Sequence, residues 1–200
     1  MLMKLHIQGL NFSYGEKKVF EDTNIDLSAD KITVLFGKNG TGKSTLLKLI
    51  AGIERCDEGD ILFSDKNGSI FSPKGMIAYL GHKLVLKEEL TVEQNISFWS
   101  DFYQNTLDEN NFRLLEIDRL RYLNVSELSQ GQKKKLAFMR VLLSNKPIWL
   151  LDEPLSNLDM DSTETIKKLI SDRISADNLI LVTSHTKSIF SKEQIITLGN

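Results

Sequence analysis

Only one cysteine, Cys56, stands in the 200 residues. That excludes an internal disulfide and any cysteine-rich metal site, and it fits a reducing compartment. No activating pattern surrounds Cys56, so it reads as an inert small residue. Three prolines and 12 scattered glycines form no linker, and there is no repeat or low-complexity tract. An excess of either charge is also missing: 25 Lys and Arg against 27 Asp and Glu give a net −2. A dedicated nucleic-acid binder would carry a basic surplus. No apolar run reaches the roughly 20 residues of a membrane span, and the start lacks a signal-peptide run. Any membrane role is therefore expected to come through a partner.

What remains is an ordinary globular composition, 41% hydrophobic and 26% charged. The length suits one sizeable domain. Short β-like runs fall at 4–10, 25–27, Ile32–Phe36, 60–63 and 76–80. A helix is expected over 43–51, with Leu46, Leu47 and Ile50 on one face and Gly52 as its stop. The middle reads as helical. Thr91 can cap a helix with Gln94 three residues on. Val92, Ile96, Trp99 and Tyr103 then share a face, and a second helical stretch covers about 109–116. The last third alternates again: helix 131–143, strand Ile148–Leu151, helix 162–174, strand 179–183. The continuous apolar strands imply a sheet buried on both faces. The expectation is one α/β domain over residues 1–200. Its core takes about 1–82 and 131–200, and a helical insertion takes about 83–130.

Gly37-Lys38-Asn39-Gly40-Thr41-Gly42-Lys43-Ser44 matches G-x-x-x-x-G-K-S/T, between an apolar strand and a helical pattern. Its glycines let successive backbone N–H groups converge on phosphate oxygens. The helix N-terminus aims its positive end at the same anion. Lys43 is expected to reach the outer phosphates, Ser44 to bind Mg²⁺, and Thr45 to continue the site. Downstream, the strand Ile148–Leu151 ends in Asp152 and Glu153. Strand ends in parallel sheets border the ligand crevice. Phosphoryl transfer needs positioning and charge compensation. Asp152 is the candidate Mg²⁺ ligand and Glu153 the group that polarises the attacking water.

About 20 residues before the acidic pair comes Leu128-Ser129-Gln130-Gly131-Gln132, opening a helix. With the order and spacing of the other motifs, it resembles the signature of the ABC ATPases, and the resemblance covers the whole chain. It implies a P-loop NTPase domain of ABC type with an antiparallel β subdomain and a helical insertion. ATP and Mg²⁺ are the implied ligands. The third signature position is usually Gly and here is Gln130. Ser129, Gly131 and Gln132 would form a second anion site that one chain cannot close on its own phosphate loop. The resemblance therefore implies an ATP-dependent head-to-tail homodimer. It also marks Tyr14 as the ring that stacks on adenine. Asp159, in Ser156-Asn157-Leu158-Asp159, becomes the carboxylate of the interface loop, and His185 the histidine that contacts the γ-phosphate. Lys133–Lys135 reads as a solvated helix face, and His6 carries no motif.

One departure narrows the resemblance. His82, in Tyr79-Leu80-Gly81-His82, stands where most transporter ATPases have Gln. With the short chain and Trp149-Leu150-Leu151-Asp152-Glu153-Pro154, this is similar to the haem-exporter ATPases of bacterial cytochrome c maturation. That implies a membrane-spanning transporter subunit as partner, a peripheral place on the cytoplasmic side of the inner membrane, and no nucleic acid. The alternatives are the ATPase subunit of another transporter, or a soluble ABC ATPase acting on DNA or ribosomes. The latter usually carry long insertions, zinc modules or a second ATPase domain.

Overall fold

The computed structural model describes residues 3–106 and 108–199. Along the chain come β1 (Lys4–Tyr14), β2 (Lys17–Ser28), β3 (Ile32–Phe36), α1 (Lys43–Ile50), β4 (Glu58–Ser64), β5 (Ile70–Phe71) and β6 (Ile77–Leu80). Then follow α2 (Val92–Tyr103), α3 (Glu109–Leu114), α4 (Gln130–Ser144), β7 (Ile148–Leu151), α5 (Met160–Ser171), β8 (Leu179–Ser184) and β9 (Glu193–Thr197). Two short 3₁₀ turns, Asp118–Leu120 and Val125–Glu127, lead from α3 to α4.

The strands form two sheets. An antiparallel sheet has the order β2-β1-β4-β5, and a five-stranded sheet the order β6-β7-β8-β3-β9. Every pairing in the second sheet is parallel. Period-2 side-chain alternation divides its residues between two cores. Ile32, Val34, Trp149, Leu151, Ile180 and Val182 face the core shared with α2, α4 and α5. Leu35, Ile148, Leu150, Leu179 and Leu181 face α1 and the antiparallel sheet. The apolar runs thus mark strands covered on both faces. In the first core Trp149 meets Phe138 of α4 edge-on, ring centroids 5.9 Å apart, and lies 5.4 Å below the Arg173 guanidinium. Truncating a buried Trp costs about 3–5 kcal/mol, so this contact anchors α4 to the sheet.

The helices begin where their caps dictate. Thr91 and Gln94 form a reciprocal capping box on α2, and Ser129 and Gln132 do the same on α4. α1 has no side-chain cap. It starts after Gly42, whose φ is 94°. A side chain there would be strained and would press within 2.8 Å of Phe20 and Val19.

The parallel topology decides where the motifs meet. All five strands of that sheet run the same way, so their C-terminal ends line up along one edge. β3 ends in the phosphate loop, β7 in Asp152 and Glu153, β8 in His185, and β6 in the segment holding His82. Residues more than a hundred positions apart are gathered at one crevice by topology alone.

Candidate functional site

A cleft of about 570 Å³ opens at that edge, with Tyr14, Phe20, Lys43, His82 and Glu153 on its walls. Asn39 to Thr45 form its floor. The α1 N-terminus supplies uncapped backbone donors at this point, the arrangement that receives an anion. Lys43 is 6% exposed, and its Nζ donates to the carbonyls of Gly37 (2.7 Å) and Lys38 (3.0 Å). Burial draws the Lys43 ammonium below the usual lysine range, while Glu153 and Asp152 oppose that shift. Tyr14 is 46% exposed, with its ring held edge-on by Phe12 at 4.8 Å. The half-exposed ring lines the cleft.

The two carboxylates have different surroundings. Asp152 is 1% exposed. Its Oδ1 accepts a 2.7 Å bond from Thr183, whereas Oδ2 has no hydrogen-bond partner among the described residues. His82 Nε2 lies 3.6 Å from that bare oxygen. A buried carboxylate oxygen without a donor is costly unless a cation or water is destined for it. Glu153 has a left-handed backbone, φ 48°. Its N–H donates to Thr183 Oγ1 at 2.8 Å, and its Oε1 meets His185 Nε2 at 2.6 Å. The other ring nitrogen of His185, Nδ1, is 3.1 Å from the Gly37 carbonyl. His185 therefore bridges the acidic pair and the start of the phosphate loop.

The remaining residues gather elsewhere. Ser129, Gly131, Gln132 and Asp159 line a separate concavity of about 410 Å³. A Cβ on Gly131 would come 2.7 Å from the Asn157 carbonyl, so glycine is what lets the start of α4 lie against the 156–159 loop. Asp159 caps α5 through the Ser162 N–H at 2.7 Å, and that bond holds its carboxyl below the ordinary aspartate range. The structure thus gathers Tyr14, the phosphate loop, His82, Asp152, Glu153 and His185 at one end of the sheet. It leaves the signature residues on a different surface.

Two residues at the site carry no linear motif. Thr183 is 1% exposed and ties Asp152 to Glu153 through one hydroxyl. Its signal is a buried threonine at the end of an apolar strand. Lys134 is the second, and it corrects the expectation of a solvated face at Lys133–Lys135. All three lysines are buried, with exposures of 9%, 6% and 7%. α4 is enclosed from Lys133 onward through its apolar middle, so the lysine stems run through packed surroundings to fixed partners. Lys133 reaches Glu88 at 2.9 Å and Lys135 lies 3.8 Å from Glu116. Lys134 donates to the Glu153 carbonyl and to Ser156 Oγ.

Residues 20–156 match the family described as ABC transporter. The cytochrome c biogenesis ATP-binding export protein CcmA of Rhizobium etli is 32% identical over 190 residues, 92% of this chain and 88% of that protein. Its namesake in Rickettsia bellii is 33% identical, over 97% of this chain and 99% of that protein. Among solved structures, a putative ABC transporter ATP-binding protein from Pyrococcus furiosus superposes with a TM-score of 0.78 at 26% identity, covering 96% of both chains. The ATP-binding cassette MJ0796, solved as a dimer in a post-hydrolysis state with ADP and Pi, gives 0.79 at 21% identity over 97% of this chain and 94% of that one. At that identity the likeness is one of fold.

Proposed function

The chain belongs to the ABC transporter family, grouped there with the cytochrome c biogenesis ATP-binding export proteins, and is an ATP-hydrolysing subunit; on that premise we propose that it powers haem handling for c-type cytochromes. Its partner is a membrane-spanning, CcmB-like subunit, and it works peripherally on the cytoplasmic side of the inner membrane. Among the described residues no helix is long and apolar enough to cross a membrane. Beyond His82, Val85, Phe98 and Phe102 are exposed, and Val85 is held at φ 56°. A β-branched residue at positive φ is uncommon, and Phe98 and Phe102 stack at 6.5 Å as an exposed apolar pair, a docking feature. This is the surface we assign to the membrane subunit.

The observation that carries the hydrolytic reading is the bridge from Glu153 through His185 to Gly37, at the mouth of the phosphate loop. Tyr14 stacks on adenine. The phosphate-loop N–H groups and the α1 N-terminus take the phosphates, and Lys43 Nζ exchanges its two carbonyls for phosphate oxygens. Mg²⁺ suits the donor set of Ser44 and Asp152, whose buried Oδ2 has no hydrogen-bond partner among the described residues; it would neutralise charge on the β- and γ-phosphate oxygens. Glu153 orients a water for in-line attack on the γ-phosphorus. A P–O bond forms, the bond to the β-phosphate oxygen breaks, and the water's proton passes toward the carboxylate. His185 fixes Glu153 through Nε2, and that nitrogen would exchange the carboxylate for a γ-phosphate oxygen when ATP is bound. Ser129, Gly131 and Gln132 of a second copy close the far side, so the competent form is an ATP-dependent head-to-tail homodimer with Asp159 at its interface.

The test is ATPase activity with and without the co-reconstituted membrane subunit, for the wild type, His82→Ala and His82→Gln. Stimulation by the partner, reduced in His82→Ala and largely kept in His82→Gln, is expected. Absence of stimulation, with co-purification on ribosomes, would overturn the transport reading.

A further inference from the structure

The catalytic carboxylate stands on a strained piece of backbone, and the restraints on it come from two sides. Glu153 has φ 48°, a region that residues with a Cβ occupy only where the surroundings hold them. Pro154 follows and narrows the options at residue 153 further. On one side the Glu153 N–H donates to Thr183 Oγ1 at the end of β8. On the other side its carbonyl accepts from Lys134 Nζ at 2.8 Å and from Ser156 Oγ at 3.0 Å. Lys134 also donates to Ser156 Oγ at 2.7 Å, which closes a three-membered network.

Lys134 is an unexpected residue for this place. It is 6% exposed, and burial lowers its ammonium from the ordinary lysine range. Its two hydrogen bonds go to a carbonyl and a hydroxyl rather than to the carboxylates, so it leaves the acidic oxygens free. Its helix, α4, begins at Ser129 and Gly131. Two turns of one rigid helix therefore carry both the signature surface and the clamp on Glu153.

We infer that Lys134 is a positioning residue for hydrolysis: from the signature helix it fixes the Glu153 peptide, and hence the carboxylate's aim, without touching the nucleotide. The inference rests on the role proposed for Glu153. Its consequence is a link within one chain between the surface that receives a neighbour's nucleotide and the carboxylate that acts on its own.

The experiment compares Lys134→Met, Lys134→Arg, Lys133→Met and Glu153→Gln with the wild type. Steady-state kcat and KM, equilibrium ATP binding and thermal unfolding are measured for each. Lys134→Met keeps the buried stem and removes the donor. Its kcat should fall by about 10- to 100-fold, the scale of a reacting group misplaced by about 1 Å, with KM and ATP affinity within about twofold of wild type. Lys134→Arg, which keeps a donor, should lie between the two. Lys133→Met breaks the Glu88 pair on the same helix instead, and should stay within about twofold of the wild-type kcat.

A Lys134→Met kcat within about twofold of wild type overturns the inference. So does an equal kcat loss in Lys134→Met and Lys133→Met, which would mark a general effect of loosening α4. Should Lys134→Met not fold, Lys134→Gln, whose shorter stem leaves its donor short of the Glu153 carbonyl, decides: lowered kcat at unchanged KM supports the inference, and wild-type kcat overturns it. Glu153→Gln separates the two levels. If it keeps wild-type turnover, the role of Glu153 itself is wrong. If it is dead while Lys134→Met is active, only the positioning by Lys134 fails.

Discussion

His185 Nε2 meets Glu153 Oε1 at 2.6 Å while its Nδ1 meets the Gly37 carbonyl at 3.1 Å. A carbonyl oxygen only accepts, so Nδ1 carries a hydrogen. The ring is thus oriented from the phosphate-loop side, with Nε2 aimed at the Glu153 carboxylate. Removing the ring should free the carboxylate from its aim and leave Lys43 and Tyr14 in place. His185→Ala is expected to lower kcat by at least about 10²-fold, with ATP affinity little changed. Measured turnover near wild type would detach His185 from the reaction.

Tyr14 presents a half-exposed ring to the cleft and packs against Phe12 at right angles. Tyr14→Ala should weaken ATP binding by about 1–3 kcal/mol, the scale of base–aromatic stacking. Tyr14→Phe and Tyr14→Trp should be nearly neutral. Equilibrium binding of a fluorescent ATP analogue checks this, and an unchanged affinity in the alanine variant would return Tyr14 to a packing role.

Ser129 is remote from the cleft that holds the phosphate loop. Ser129→Arg should therefore preserve nucleotide binding by the single chain. Hydrolysis should fall by at least about 10²-fold, as when an anion-stabilising donor is lost. Retained activity in a chain that stays monomeric by light scattering throughout turnover would refute a composite site.

Asp159 gives a stability prediction with a definite sign. The Ser162 N–H favours its charged form, so its folded-state carboxyl lies below the ordinary aspartate range. The cap's contribution is present above about pH 4, the ordinary aspartate value. It is lost as pH falls through the lowered folded value. Asp159→Ala should melt at a lower temperature than wild type at pH 7, and the gap should close in acid. Thermal unfolding at several pH values checks this; a gap independent of pH would mean that the cap does not depend on the charge.

The fold was legible where residues of one kind run together. Ile148–Leu151 and Ile32–Phe36 are apolar almost throughout because both their faces are covered. β9 was not legible. It is an edge strand, Glu-Gln-Ile-Ile-Thr, with little of it fully buried, so the sequence carries no strong period. β2 was legible only over its last few residues, because its first half alternates poorly and lies open to solvent. In the site, Lys43, Asp152 and Glu153 stand in contiguous motifs and could be named from sequence. Thr183 reaches Asp152 across 31 positions and Lys134 reaches Glu153 across 19. Such contacts exist only after the parallel sheet and α4 have packed, and a run of three lysines reads as a wet surface until its helix is seen enclosed.

The central claim is that Glu153 drives hydrolysis in a site that two copies share, and Glu153→Gln tests it most directly. The measurement is size-exclusion chromatography with light scattering, with and without Mg-ATP, paired with steady-state phosphate release. Glu153→Gln should bind ATP, elute as a dimer only when ATP is present, and turn over at least about 10²-fold more slowly than wild type. A variant that remains monomeric with ATP bound, or hydrolyses it at the wild-type rate, would contradict the account.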